Sequence, residues 1–154
     1  MGKESPVCIG RIIMNLQAQT RDEAVSELVS LFCRTEGRPD EQKIIEAVSE
    51  RERRASTGIG WGVAVPHARI AQLDRIVVCI GYSCRGIDFS SPDGSLSRVV
   101  ILILSPETDF SGHLRFLADL SGCLSLVRWR RRLLGASTPE EVVAVFQGGY
   151  YGNN

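Results

Sequence analysis

Only two imidazoles occur in the chain, His67 and His113, and each stands at the edge of an expected element. His67 follows a strand-like apolar run and a proline; His113 opens a stretch with helical spacing. Such boundaries are where a rigid scaffold presents reactive side chains. A lone histidine is more ordinarily a surface residue or a satisfied core residue, so its neighbours must decide. Just upstream of His67 lies Ser56-Thr57-Gly58-Ile59-Gly60-Trp61-Gly62. Glycines let backbone N–H groups converge on a small concavity, and hydroxyls add donors, which is how a phosphoryl oxygen is cradled. Arg51, Arg53, Arg54 and Arg69 offer the planar guanidinium fork that fits phosphate. The plain alternative is that the glycines serve tight turns and the arginines form a solvated face.

Other chemistries fit less well. A strand, not a helix, follows the glycines, so they miss the dinucleotide-binding fingerprint, and no P-loop Gly-Lys-Ser/Thr occurs. There is no Gly-x-Ser-x-Gly elbow of a serine hydrolase. Two histidines without a nearby carboxylate motif make a weak metal site. The five cysteines, at 8, 33, 79, 84 and 123, are odd in number and form no Cys-x-x-Cys pair. Cys79 and Cys123 fall in apolar patterns and read as small buried hydrophobes in a reducing compartment. Cys84 is the candidate for exposure, without a local activating group. No metal and no cofactor is expected.

At 154 residues the chain has room for one domain with one substantial core. Eighteen basic residues balance 18 acidic ones, which argues against nucleic acid as the partner. The longest aliphatic run, Val99 to Leu104, is far too short to span a bilayer. The first residues carry neither the apolar stretch of a signal peptide nor a myristoylation signal, so a cytoplasmic protein is expected.

The elements that must hold these residues are legible in outline. Thr20 to Glu23 reads as a capping box opening a helix with Val25, Leu28, Val29 and Phe32 inward, stopped by Gly37-Arg38-Pro39. A second helix begins near Asp40, carries Ile44, Ile45 and Val48 inward, and ends in the charged run 50–54. Gly58, Gly60 and Gly62 punctuate a loop leading to a short strand, Val63-Ala64-Val65. Ile76 to Cys79 and Val99 to Leu104 are continuous apolar runs, the mark of strands covered on both faces, with a turn at Ser91-Pro92-Asp93-Gly94 between them. A helix starting near Ser111 carries Leu114, Leu117, Leu120 and Leu124; the last starts at Thr138-Pro139-Glu140-Glu141. This order predicts an α/β fold, a sheet sandwiched by helices.

The segment Ser56 to Arg69 strongly resembles the active-site motif of enzyme IIA proteins of the bacterial phosphoenolpyruvate-dependent phosphotransferase system, in the fructose/mannitol/nitrogen-regulatory branch. Arg51-Glu52 upstream, Gly86-Ile87-Asp88-Phe89 with Asp93-Gly94, and His113 to Ala118 extend the likeness, in order, from about Ile12 to Phe146. The resemblance implies an α/β fold with a mixed β-sheet sandwiched by helices on both faces, an N-terminal extension at 1–11, an enzyme IIA domain at 12–147 and a flexible tail at 148–154. It implies that His67 takes a phosphoryl group from an HPr-like donor protein and passes it to a cysteine of a IIB domain, or that the phosphorylated state signals to a regulatory target protein. Arg51 matches the arginine that neutralises the phosphoryl oxygens, and His113 the second active-site histidine. Ser56, Thr57, Gly58 and Gly60 are further candidates for phosphoryl contact, the two hydroxyls alternatively bracing the loop.

Trp61 departs from the smaller or polar residue usual in the family. Its place among glycines beside the reacting histidine favours an exposed anchor for a partner over a buried brace. The arginines 128, 130, 131 and 132 read first as a solvated helix face and second as a docking patch for an acidic partner. Two other classes compete with the phosphoryl carrier: a binding module of enzyme IIA fold that no longer exchanges phosphoryl groups, and, last, a metal hydrolase.

Overall fold

Strands that are apolar on every residue can be buried only if both faces of their sheet are covered. The computed structural model describes residues 5–150 and supplies both covers. In chain order the elements are β1 (Ile12–Ile13), α1 (Arg21–Glu36), α2 (Glu41–Arg54), β2 (Gly58–Gly60), β3 (Val63–Ala64), β4 (His67–Ile70), β5 (Val77–Ile87), β6 (Ser97–Pro106), α3 (Phe110–Leu124), α4 (Val127–Gly135) and α5 (Pro139–Tyr150). The sheet runs β1-β5-β6-β3-β2, with β4 also paired to β6. It is mixed: β5 lies antiparallel to β6, while β1 pairs parallel to β5, and β3 and β4 pair parallel to β6.

Alternation along the strands sorts the core into two layers. Val100, Leu102 and Leu104 of β6, with Val77 and Cys79 of β5, pack against Leu28 and Phe32 of α1 and Ile44 and Val48 of α2. Val99, Ile101 and Ile103, with Val78 and Ile80, face Phe116 and Leu120 of α3, Trp129 and Leu133 of α4, and Phe146 of α5. The expected sandwich is therefore present, with α1 and α2 on one face and α3 to α5 on the other. No helix among the described residues is long and apolar enough to cross a membrane.

The helix ends follow their local chemistry. Thr20 Oγ1 accepts the Glu23 N–H at 3.2 Å, and Thr138 Oγ1 accepts that of Glu141, also at 3.2 Å. In both boxes the glutamate reaches back to the N–H of the residue before the cap, Gln19 and Ser137, instead of the cap itself. Gly37 ends α1 in the left-handed conformation, φ 65°.

Three boundaries differ from expectation. The glycine segment is a hairpin, not a loop: β2 pairs antiparallel with β3 through Trp61 and Gly62, both at positive φ, a turn whose twist matches its strands. The last helix continues to Tyr150, past the point where a tail was expected at 148; residues 151–154 of that tail lie outside the described residues. At the other end, the segment set aside as an extension, of which residues 5–11 are described, is packed into the fold. Val7 is in the core, the Pro6 carbonyl accepts the Val78 N–H, and Arg11 pairs with Glu36 at 3.1 Å.

Candidate active site

β3 and β4 are one strand interrupted at Val65-Pro66, both lying along β6. Val63 and Val65 belong to the layer under α3, and His67, two residues further on, keeps that side. Above it the first turns of α3 carry His113. Asp109 sets that helix start by accepting the Gly112 N–H at 3.0 Å. The two imidazole centroids stand 5.4 Å apart, inclined at 52°. Among the described residues the outer flank of β4 pairs with no strand, and the C-terminal half of α2 closes over it. What remains is a cleft of about 410 Å³ walled by Arg51, Arg54, His67, Arg69, His113 and Phe110, among others. An apolar groove of about 240 Å³ continues from His67 between β2 and α3, past Ile59, Leu120 and Leu124.

The imidazoles are held in defined ways. His67 Nδ1 lies 2.8 Å from the Val65 carbonyl oxygen. A carbonyl only accepts, so Nδ1 carries the proton and Nε2 carries the free lone pair. Burial lowers the basicity of His67 and the nearby Arg51 lowers it further, against the Val65 bond, which raises it. His113 is 6% exposed, with Nδ1 2.7 Å from the Ser105 hydroxyl. It is pushed down to about 4, by burial first and then by His67, Arg69 and Arg51. Both rings are thus neutral at pH 7, in a cleft edged by cations. That combination suits a nitrogen nucleophile meeting an anionic group.

The arginines divide. Arg51 is half-buried, donates from Nη1 to the Ala55 carbonyl at 3.0 Å, and borders both cleft and groove. Arg69 stacks 4.7 Å over Phe110 and donates to the Glu107 carbonyl. Arg53 and Arg54 are exposed and pair with Glu50, Arg54 still reaching the cleft wall.

The glycine and hydroxyl residues serve the hairpin. The Ser56 hydroxyl donates to the Phe89 carbonyl and accepts the Gly58 N–H. Thr57 gives both its hydroxyl and its N–H to the Glu52 carboxylate. Ser56 and Thr57 border the apolar groove, but their hydroxyl protons are occupied. Gly58 and Gly60 border neither cleft nor groove. A Cβ at Gly58 would meet the Phe89 carbonyl oxygen at 2.8 Å; one at Gly60, where φ is +90°, would meet the Asp93 carboxylate at 2.8 Å. The glycines are there for close approach and turn geometry, the plain alternative stated above.

Trp61 is half-exposed, as an anchor would be, but it is not beside His67. The Gly62 carbonyl bonds the N–H groups of Arg98 and Val99, whereas His67 lies opposite Ile103, a separation of about 13 Å along the strand.

Two positioning residues escaped the sequence. Glu52, 5% exposed, sits in a run that reads as a charged face. Its signal was there: Ile44, Val48 and Glu52 are spaced by four, so the carboxylate shares the buried stripe. Ser105 continues the alternation of Val99, Ile101 and Ile103, which places it under α3 facing His113.

Two neutral imidazoles thus meet at a strand break in an α/β fold, roofed by a helix start and edged by arginine. Over residues 8–148 the chain matches the family described as phosphoenolpyruvate-dependent sugar phosphotransferase system, EIIA 2. The fructose-specific EIIABC component of Bacillus subtilis (strain 168) is 31% identical over 134 residues, 87% of this chain; the chain spans 21% of that protein's length. The crystal structure of nitrogen regulatory protein IIA-Ntr from Neisseria meningitidis aligns with a TM-score of 0.83 and 28% identity, over 90% of this chain and 94% of that one. Mannitol enzyme IIA of Escherichia coli, solved in complex with phosphorylated mannitol enzyme IIB, aligns at 0.74 and 19%, over 92% and 97%. The chain belongs to the EIIA 2 family of the phosphotransferase system.

Proposed function

We propose that this protein is a phosphoryl carrier, with His67 Nε2 as the atom that takes and gives the group. The observation that carries the reading is the Val65 carbonyl on His67 Nδ1, which leaves Nε2 as the free nucleophile in an arginine-edged cleft. In the first step the Nε2 lone pair attacks phosphorus on a phosphorylated HPr-like donor. The donor's P–N bond breaks, and its electron pair returns to the donor's imidazole. His67 keeps its Nδ1 proton on the Val65 carbonyl, where it helps to disperse positive charge on the substituted ring. Arg51 neutralises the phosphoryl oxygens. Ser105 can donate to His113 Nδ1, which leaves His113 Nε2–H to bond one of those oxygens. Catalysis of this kind asks for positioning and charge neutralisation.

In the second step a thiolate of a IIB domain attacks the same phosphorus, the His67–phosphorus bond breaks, and Nε2 recovers its lone pair. The likeness to an enzyme IIA solved with phosphorylated IIB supports this acceptor. The likeness to IIA-Ntr supports a regulatory use of the phosphorylated state.

The test supplies phosphoenolpyruvate, enzyme I and HPr to the wild type and to His67→Ala. One acid-labile phosphoryl group, on Nε2 of His67 and absent from the variant, is expected by intact mass and phosphorus NMR. A folded wild-type protein that takes up no label from its matching HPr overturns the carrier and leaves the binding module. Incubating the phosphorylated protein with a fructose-type IIB domain then separates the two uses: transfer favours transport, and retention favours regulation.

A further inference from the structure

Helix α4 carries three exposed arginines, one of which, Arg132, lies in its last turn at the negative end of the helix dipole. Arg128, Arg131 and Arg132 are exposed and spaced by three and four on one side of the helix, with the Arg132 guanidinium reaching toward Gly148 of α5. Among the described residues none of the three has a carboxylate within ion-pair distance. Arg128 lies in the first turn, the positive end of the helix dipole, with no acidic residue there to offset it. The chain as a whole is balanced, 18 charges of each sign, so the stripe is a local segregation and not a reflection of composition.

Apolar side chains left in water lie beside it. Leu126 and Val127 are 55% and 51% exposed, and Trp61 is 50% exposed. Arg130 joins the two parts: its guanidinium stacks 4.0 Å over the Trp61 ring, and its Nη1 donates to the Leu124 carbonyl.

We infer that this face docks an acidic, amphipathic segment of another protein. Its carboxylates pair with Arg128, Arg131 and Arg132, and its apolar side chains cover Leu126 and Val127 beside Trp61. Charge complementarity fixes the sign of the partner. The flanking apolar residues select protein over nucleic acid, whose phosphates make no use of them. A lipid surface is a poorer match, because Arg130 caps the Trp61 ring and the large apolar side chains of α4, Trp129 and Leu133, are turned into the core. From His113 to Leu124 the axis of α3 spans about 16 Å, about twice the screening length at physiological salt. The charge on His67 is therefore largely screened at α4, and docking there does not rest on the phosphoryl reading.

The test titrates the isotope-labelled full chain with a synthetic helical peptide bearing glutamates on one face and leucines on the other. Polyglutamate of equal charge, phosphatidylglycerol vesicles and a single-stranded oligonucleotide form the other arms. The amphipathic peptide is expected to shift the amides of α4 and the Trp61 indole, alone among the four at comparable affinity. Binding is expected to weaken with salt, to weaken about tenfold in the combined Arg128→Gln, Arg131→Gln, Arg132→Gln variant, and to be unchanged in His67→Ala. Leu126→Ser with Val127→Ser, which keeps the arginines, is expected to reduce the amphipathic peptide to the level of polyglutamate. The inference is overturned by the absence of peptide shifts, by shifts centred on the His67 cleft, by equal binding of polyglutamate to the wild type, or by vesicles or oligonucleotide binding α4 in its place.

Discussion

Keeping His113 neutral has an energetic consequence that can be read in acid. An unfolded histidine titrates near 6.5, and burial beside His67, Arg69 and Arg51 brings the folded value to about 4. Between those values the unfolded chain binds more protons than the folded one, so stability declines as pH falls from 6.5 to about 4 and levels off below. His67, lowered in the same direction, adds to the decline. His113→Asn, which cannot take up a proton, is expected to flatten this slope in urea midpoints measured from pH 7 to pH 4.5. Parallel curves for variant and wild type would refute the assignment. In the proposed mechanism Arg51 acts on charge instead of on protons: Arg51→Gln is expected to slow phosphoryl uptake by about a hundredfold with little change in thermal stability. These residue-scale roles were partly legible in the sequence. His67, Arg51 and His113 came out as candidates, and the fold brings all three to one cleft.

At the scale of elements, the join between α2 and the β2–β3 hairpin decides where Arg51 points. Glu52, its chain neighbour, is buried and takes two hydrogen bonds from Thr57, with Arg21 3.9 Å away. Glu52→Ala leaves the Thr57 donors unpaired in a buried place, at a cost of about 1–3 kcal/mol. It is expected to lower the melting temperature and also to slow phosphoryl uptake, because the end of α2 loses its tether. Glu52→Gln, which keeps one acceptor oxygen, is expected to recover most of both. If Glu52→Ala lowers stability while the uptake rate stays at the wild-type value, the tether is only structural. The sequence gives the elements but not this joint. A glycine-rich segment looks the same whether it wraps a ligand or makes a tight hairpin, and only the Phe89 and Asp93 contacts reveal the second use.

The whole molecule is two cores divided by one sheet. Ile101 and Leu102 are consecutive on β6, are fully buried, and belong to opposite layers. Ile101→Ala and Leu102→Ala are each expected to cost about 2–5 kcal/mol. Each should leave a single unfolding transition by circular dichroism and by fluorescence, because neither layer has a sheet of its own. Two separated transitions in either variant would show that the layers unfold independently.

What the sequence determined by itself was whatever rests on local chemistry and periodicity: the caps at Thr20 and Thr138, the doubly covered strands, the α/β sandwich, and the two histidines with a group of arginines as candidates, among which only the family resemblance singled out Arg51. These follow from side-chain type and short spacing, which the chain carries wherever it folds. Tertiary structure decided how the strand is interrupted at Val65-Pro66, where the Val65 carbonyl, only two residues back, meets His67 Nδ1 and leaves Nε2 free. It alone joined Ser105 to His113 across eight residues, and it put Trp61 at the far end of the sheet from His67, beside Arg130. Register and the layering of helices on the sheet set those distances, and both are properties of the packed molecule, not of any one segment.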